Sequence, residues 1–233
     1  MAQGSNPKSL KGLKRGIMAR KHRNYENNYP SCTEVLGVLR NIPLEFWFKK
    51  NTLEFINRES GKGRTIGTDI HKSLENYILT GQAIVETEYP EEVTCALHSF
   101  IKFRKERPDI FIEWSEMALT SEKHRFNGTI DAIGKTDKNL ILPDLCIDWK
   151  SGKAGEKDVP DIYDSYKVQV AAYTFLYNEV KQNCIDRAII VSIAKDKVAY
   201  NVYEMGHDEI FDCFNEVFLP ALRIYNYQHK KEK

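Results

Sequence analysis

Apolar positions recur at three- and four-residue intervals through the first half of the chain and alternate through much of the second, so helices lead and strands follow. After Tyr29-Pro30-Ser31, the run Val35, Leu36, Val38 and Leu39 predicts a helix beginning at Glu34, capped by Ser31 or Thr33. Pro43 opens a second helix, Leu44 to about Arg58, which Glu59-Ser60-Gly61-Lys62-Gly63 breaks. Ile70, Leu74 and Ile78 form the apolar face of a third, about Thr65 to Leu79, which Gly81 closes. A fourth runs from about Glu91 to Arg107 and stops at Pro108. Strands are then predicted over Phe111–Leu119, Phe126–Ile133 and Leu145–Lys150, followed by a helix over about Tyr163–Val180. Strands over Arg187–Ala194 and Val198–Met205 and a last helix over about Asp208–Tyr227 complete the pattern. The order predicts an α/β domain with a mixed sheet and a helical front part.

A length of 233 residues and 42% apolar content fit one domain with a real core. Residues 29–233 are read as that domain, with a helical front over 29–108 and the sheet with its helices over 109–233. No run of 18 apolar residues exists and the N-terminus lacks an apolar segment, so neither a membrane helix nor a secretory signal is expected. The net charge of +1 carries little information, but its distribution does. Lys8, Lys11, Lys14, Arg15, Arg20, Lys21 and Arg23 precede the first acid, Glu26, so residues 1–28 are read as a basic flexible arm. Such an arm suits phosphate backbones; a solubilising tail or an organelle presequence has the same composition. Five scattered cysteines lack metal-ligand spacing and are expected to be free thiols in a reducing compartment.

The candidate chemistry lies in Asp148-Trp149-Lys150-Ser151-Gly152-Lys153, beyond the apolar run Leu140-Ile141-Leu142 and after Leu145 and Ile147. Residues two apart on a strand share a face, so Asp148 and Lys150 converge. An Asp-x-Lys triplet alone is ordinarily a solvated ion pair. Its neighbours change the reading. A hairpin centred between Lys123 and His124 sets Glu116 opposite Asp131, with Cβ atoms ~5 Å apart. A connection over Lys135–Asp144 sets Asp131 opposite Asp148. Three carboxylates and a lysine on one sheet patch repel unless a cation joins them. Asp144 lies four strand residues before Asp148, ~13 Å, too far to share an ion. Gly67 is expected to let another element come close to His71 on the third helix, and Gln169 and Tyr173 share one face of the long helix at i, i+4.

These pieces, in this order, resemble the RecB-type nucleases of the PD-(D/E)xK superfamily: Gly67-x-x-x-His71, Glu116, Gly128-Thr129-Ile130-Asp131, Asp148-Trp149-Lys150-Ser151-Gly152-Lys153 and Gln169-x-x-x-Tyr173. Ser31-x-Thr33 and Trp47 are similar to the family's front end, and the resemblance spans roughly residues 30 to 225. It implies a restriction-endonuclease-like mixed sheet flanked by helices. It also implies Mg²⁺ or Mn²⁺ bound by His71, Asp131 and Asp148 with a backbone oxygen near Trp149, and Glu116 helping with a second ion or a water. Lys150 would activate the attacking water, and Gln169 and Tyr173 would fix the lysine's strand and the nucleic-acid backbone. Two departures stand out. The interval from Asp131 to Asp148 is about four residues longer than the family's compact hairpin. The four-cysteine iron–sulfur pattern of some members is absent, so no cluster is expected.

The resulting expectation is a DNA exonuclease acting on single strands or duplex ends in recombination, repair or DNA maintenance. No G-x-x-x-x-G-K-[ST] loop is present, so a helicase or recombination partner would be a separate chain. The aromatics Phe46, Trp47 and Phe48 beside Lys49-Lys50 are read either as core or as a stacking path for a single strand. A cytoplasmic setting is expected ahead of an organelle matrix. A structure-specific endonuclease and a non-catalytic nucleic-acid-binding protein on the same fold are the alternatives.

Overall fold

The computed structural model describes residues 27–39, 42–83 and 89–229, without the side chains of 42–44 and 47. The basic arm, save its last two residues, and the Trp47 side chain lie outside what is described. Helix α1 (Cys32–Leu36) begins in a capping box: Ser31 Oγ accepts from the Glu34 amide, and the Glu34 carboxylate accepts from the Ser31 amide at 2.7 Å. Two orphan donors are satisfied reciprocally, so Ser31 is the cap and Thr33 lies inside the helix.

The front helices differ from expectation. Helix α2 (Ile42–Lys50) ends at Lys50, and α3 (Leu53–Thr80) runs 28 residues through Gly61, Gly63 and Gly67. The break falls ten residues earlier than predicted because Thr52 Oγ1 accepts from the Phe55 amide and nucleates a new helix. Each helical glycine costs ~1 kcal/mol relative to alanine, but elongation adds a hydrogen bond per residue, and Ile66, Ile70 and Leu74 anchor the far half. Gly81 ends α3 with φ +69°, as expected of a left-handed C-cap. Gly67 serves no close approach, because a Cβ there would meet nothing within 4 Å.

Helix α4 (Glu91–Glu106) precedes β1 (Phe111–Ser121), β2 (Phe126–Lys135) and β3 (Leu145–Gly152). Helix α5 (Asp164–Lys181) crosses to β4 (Arg187–Ala194), which turns into β5 (Tyr200–Met205). The last helical stretch is α6 (His207–Asp212), a π-helical segment (Cys213–Phe218) and α7 (Leu219–Gln228). Pro220 supplies no amide and its ring crowds the preceding turn, which accounts for the widening just before it.

The five strands lie in sequence order, antiparallel except for the parallel pair β3–β4. This is the expected α/β architecture, a mixed sheet flanked by helices with an N-terminal helical region. On one face, Ile66, Ile70 and Leu74 of α3 and Phe100 and Phe103 of α4 pack over Ile147, Trp149 and Val191. On the other, α1, α5 and the C-terminal helices bury Phe126, Ile130, Leu176 and Phe214. Gly128 is required there: a Cβ would come within 2.7 Å of Leu176 Cδ2 and 3.0 Å of the Tyr173 ring. Among the described residues, no helix is long and apolar enough to cross a membrane.

Candidate metal centre

The site forms where the sheet's central ladder stops. Ser115 pairs with Ala132 and Met117 with Ile130, which sets Glu116 opposite Asp131. Between β2 and β3 the ladder runs from Gly134↔Leu145 to Ala132↔Ile147 and ends, with Asp131 and Asp148 the next residues on either side. Both registers match the hairpin counting. β3 remains paired to β4 through Gly152, so Asp148 and Lys150 sit on a strand held from one side. The Trp149 amide, free of β2, donates to Asp131 Oδ2 at 2.9 Å and fixes that carboxylate.

Asp131 Oδ1 lies 3.7 Å from His71 Nδ1, and Glu116 Oε1 lies 3.7 Å from the same nitrogen. The imidazole arrives from α3, one residue after the buried Ile70. Together His71, Glu116 and Asp131 place a ligand atom each within 4.8 Å of one another, a group that can hold a metal ion. Asp148 is outside this close set. It is fully buried, and its Oδ2 meets the Lys150 ammonium at 2.7 Å. No hydrogen-bond donor among the described residues reaches its Oδ1. Lys150 Nζ also lies 5.2 Å over the Tyr166 ring. Gln169 Nε2 donates to the Tyr173 hydroxyl at 2.9 Å, and the Tyr173 ring packs at Gly128.

The electrostatics follow from burial and like charge. Burial pushes the Asp131 carboxyl up to about 7, with Asp148 and Glu116 adding to it and His71 and Lys150 opposing it. Burial works against charge on His71, yet Asp131 and Glu116 outweigh it and its pKa rises. Lys150 behaves likewise: burial lowers it, while Asp148 and Asp131 more than compensate. A nitrogen, several carboxylate oxygens and one buried oxygen without a donor are a donor set that fits a divalent cation.

Glu116 adopts φ +52°, a left-handed conformation seldom taken by a residue other than glycine. Asp144 is committed elsewhere: its carboxylate accepts from the Thr136 amide and hydroxyl and faces Arg187. Tyr166 escaped the sequence reading, although Tyr166, Gln169 and Tyr173 share a face at i, i+3 and i+7, a spacing that picks it out. The Trp149 amide left no signal, because a backbone donor has no residue signature.

No protein-family model matches the chain, and no curated protein matches it. Among solved structures it is similar to SSO0001, with 17% identity over 58% of this chain and 58% of that one and a TM-score of 0.35. It is also similar to a protein from Eubacterium rectale named "Putative exonuclease", with 14% identity over 67% of this chain and 74% of that one, again at 0.35. Likenesses this slight assign no activity, so the reading rests on the site.

Proposed function

We propose that the chain is a metal-dependent deoxyribonuclease of the RecB-type PD-(D/E)xK kind, an exonuclease acting on single strands or duplex ends. The observation that carries this reading is the buried Asp148–Lys150 pair beside the His71, Glu116 and Asp131 group. A buried ion pair is weak support for stability, and the two further carboxylates beside it add repulsion, so the arrangement is understood as a functional site. In this reading His71, Asp131 and Asp148 hold Mg²⁺ or Mn²⁺, with Glu116 beside them. When bound, such an ion polarises the phosphoryl group and lowers the pKa of a coordinated water.

The chain's own groups do the rest. The Trp149 amide occupies Asp131 Oδ2 and turns Oδ1 toward His71. Lys150 is positioned by Asp148 below and the Tyr166 ring beside it, leaving its remaining donors for a non-bridging phosphate oxygen and the attacking water. Phosphoryl transfer asks mainly for positioning and charge neutralisation, which in this reading fall to the ion and to Lys150. Gln169 and Tyr173 lie on the helix that carries Tyr166; the buried Tyr173 ring seats that helix at Gly128, and the half-buried Gln169, which donates to its hydroxyl, is the one of the two left to reach a nucleic-acid backbone.

Digestion of single and double strands labelled at the 5′ or 3′ end, with Mg²⁺, Mn²⁺ or chelator, tests the reading. Metal-dependent release of mononucleotides or short oligonucleotides is expected, with circular single strands left intact. Cutting of the circles would make it an endonuclease, and binding without cleavage under every metal would leave a nucleic-acid-binding protein on a nuclease fold.

A further inference from the structure

We propose that a nucleic-acid strand enters the metal centre along one face of α3, over Gly67 and past Arg64, and that these two residues position the substrate. The inference rests on the nuclease reading above and gives it a path. Exposure locates the mouth of the centre. The His71 side chain keeps 24% of its surface exposed, more than Lys150, Asp131, Glu116 or Asp148. A substrate therefore reaches the site beside α3. At 3.6 residues per turn, Ser60, Arg64, Gly67 and His71 (i, i+4, i+7, i+11) fall on one stripe of that helix. Beyond His71 the stripe is shut, because Leu74 and Glu75 on the next turn are buried and a carboxylate there repels phosphate.

Toward the N-terminus the stripe is open. Helical side chains lean that way, so the imidazole extends over the turn that holds Gly67. A Cβ at Gly67 would meet nothing within 4 Å, so no other part of the chain fills the space before it. A glycine inside a helix is destabilising, and no packing contact here requires one. A phosphate that must come close to the metal does require it. About one turn farther, Arg64 is set for the phosphates that follow. Its Nε donates to the Ser60 carbonyl at 3.2 Å, which lays the guanidinium back along the stripe and leaves its terminal amino groups for a ligand. Arg58 is engaged with Glu59 and Lys62 with Glu92, whereas no carboxylate among the described residues pairs with Arg64. The acids of this half of α3, Glu54, Glu59 and Asp69, each fall more than a quarter turn off the stripe. Arg64 lies ~10 Å from His71 along the axis, about three nucleotides of a stacked strand. An arginine so placed holds phosphate rather than base, and fixes the path of the strand without choosing its sequence.

Fluorescence anisotropy of a labelled single-stranded oligonucleotide with the full chain, in chelator across a salt series, tests the path without requiring cleavage. Arg64→Ala should weaken binding and reduce the slope of log affinity against log salt by about 0.7, one phosphate contact. Gly67→Leu should weaken binding by about tenfold or more, the scale of a lost charge-assisted contact. Gly61→Leu is the control: it too stands in open space, about a quarter turn off the stripe, and should bind as the wild type does. All three variants replace a residue by a good helix former and should melt no lower than wild type. An unchanged salt slope for Arg64→Ala, or a Gly67→Leu variant that binds like Gly61→Leu, would overturn the proposal. A wild type that binds no oligonucleotide would overturn it together with the nuclease reading. A wild type that binds along this path yet cuts nothing under any metal would end the nuclease reading alone.

Discussion

At the scale of single residues, the site reads as charges that tolerate one another only in company. Asp148 has Lys150 as its close partner in a fully buried position, so Lys150→Met should do two things. Cleavage should fall at least ~100-fold, as when a donor to transition-state charge is lost. Stability in chelator should drop by about 3–5 kcal/mol, because removing one partner strands the other. A correctly folded variant with wild-type turnover would end the assignment. Asp131→Asn keeps an oxygen for the Trp149 amide while removing a charge from between two others, so it should abolish cleavage without lowering the melting temperature in chelator. In Mg²⁺ the wild type alone should gain stability, because an ion that binds only the folded state stabilises it. His71→Ala should raise the metal concentration for half-maximal activity by about tenfold or more, the order found when metal sites lose supporting groups. An unchanged titration would remove the imidazole from the ligand set. Glu116→Gly relieves the left-handed backbone that Glu116→Ala retains, and should exceed it in stability by a few tenths to about 1 kcal/mol in denaturant titrations.

At the scale of elements, much was legible because alternation and hairpin counting are local rules. The β1–β2 and β2–β3 registers follow from turn positions, and with them the setting of Glu116 opposite Asp131 and of Asp148 just past the end of the β2–β3 ladder. The course of α3 was not legible. Gly61-Lys62-Gly63 has the composition of a loop, and a threonine cap ten residues earlier settles the matter by nucleation, which a residue-by-residue propensity does not register. That helix offers a direct check. A Cβ at Gly61 or Gly63 would meet nothing within 4 Å, so each change to alanine should stabilise by about 0.5–1 kcal/mol. Gly128→Val should destabilise by about 1–3 kcal/mol, because its side chain would collide with Leu176 and Tyr173. Unfolding midpoints moving in the same direction for all three would contradict this packing.

At the scale of the whole molecule, the two cores lie on opposite faces of one sheet, and the candidate ligands straddle the boundary between a layer and that sheet. His71 belongs to α3, while Glu116, Asp131 and Asp148 belong to strands. The helical layer of α3 and α4 is joined to the sheet by its own apolar cluster, separate from the one beneath α5. A cation bound at the centre would therefore act as a rivet between layers. Its arrival should slow amide exchange along Ile66–Leu74 far more than along α5, and uniform protection would show that the layer does not open by itself. If that ion binds, the fold would carry a built-in readout of metal supply: where the ion is scarce, the front layer would lift, proteases would reach it first, and the metal-free protein would be the form most readily removed.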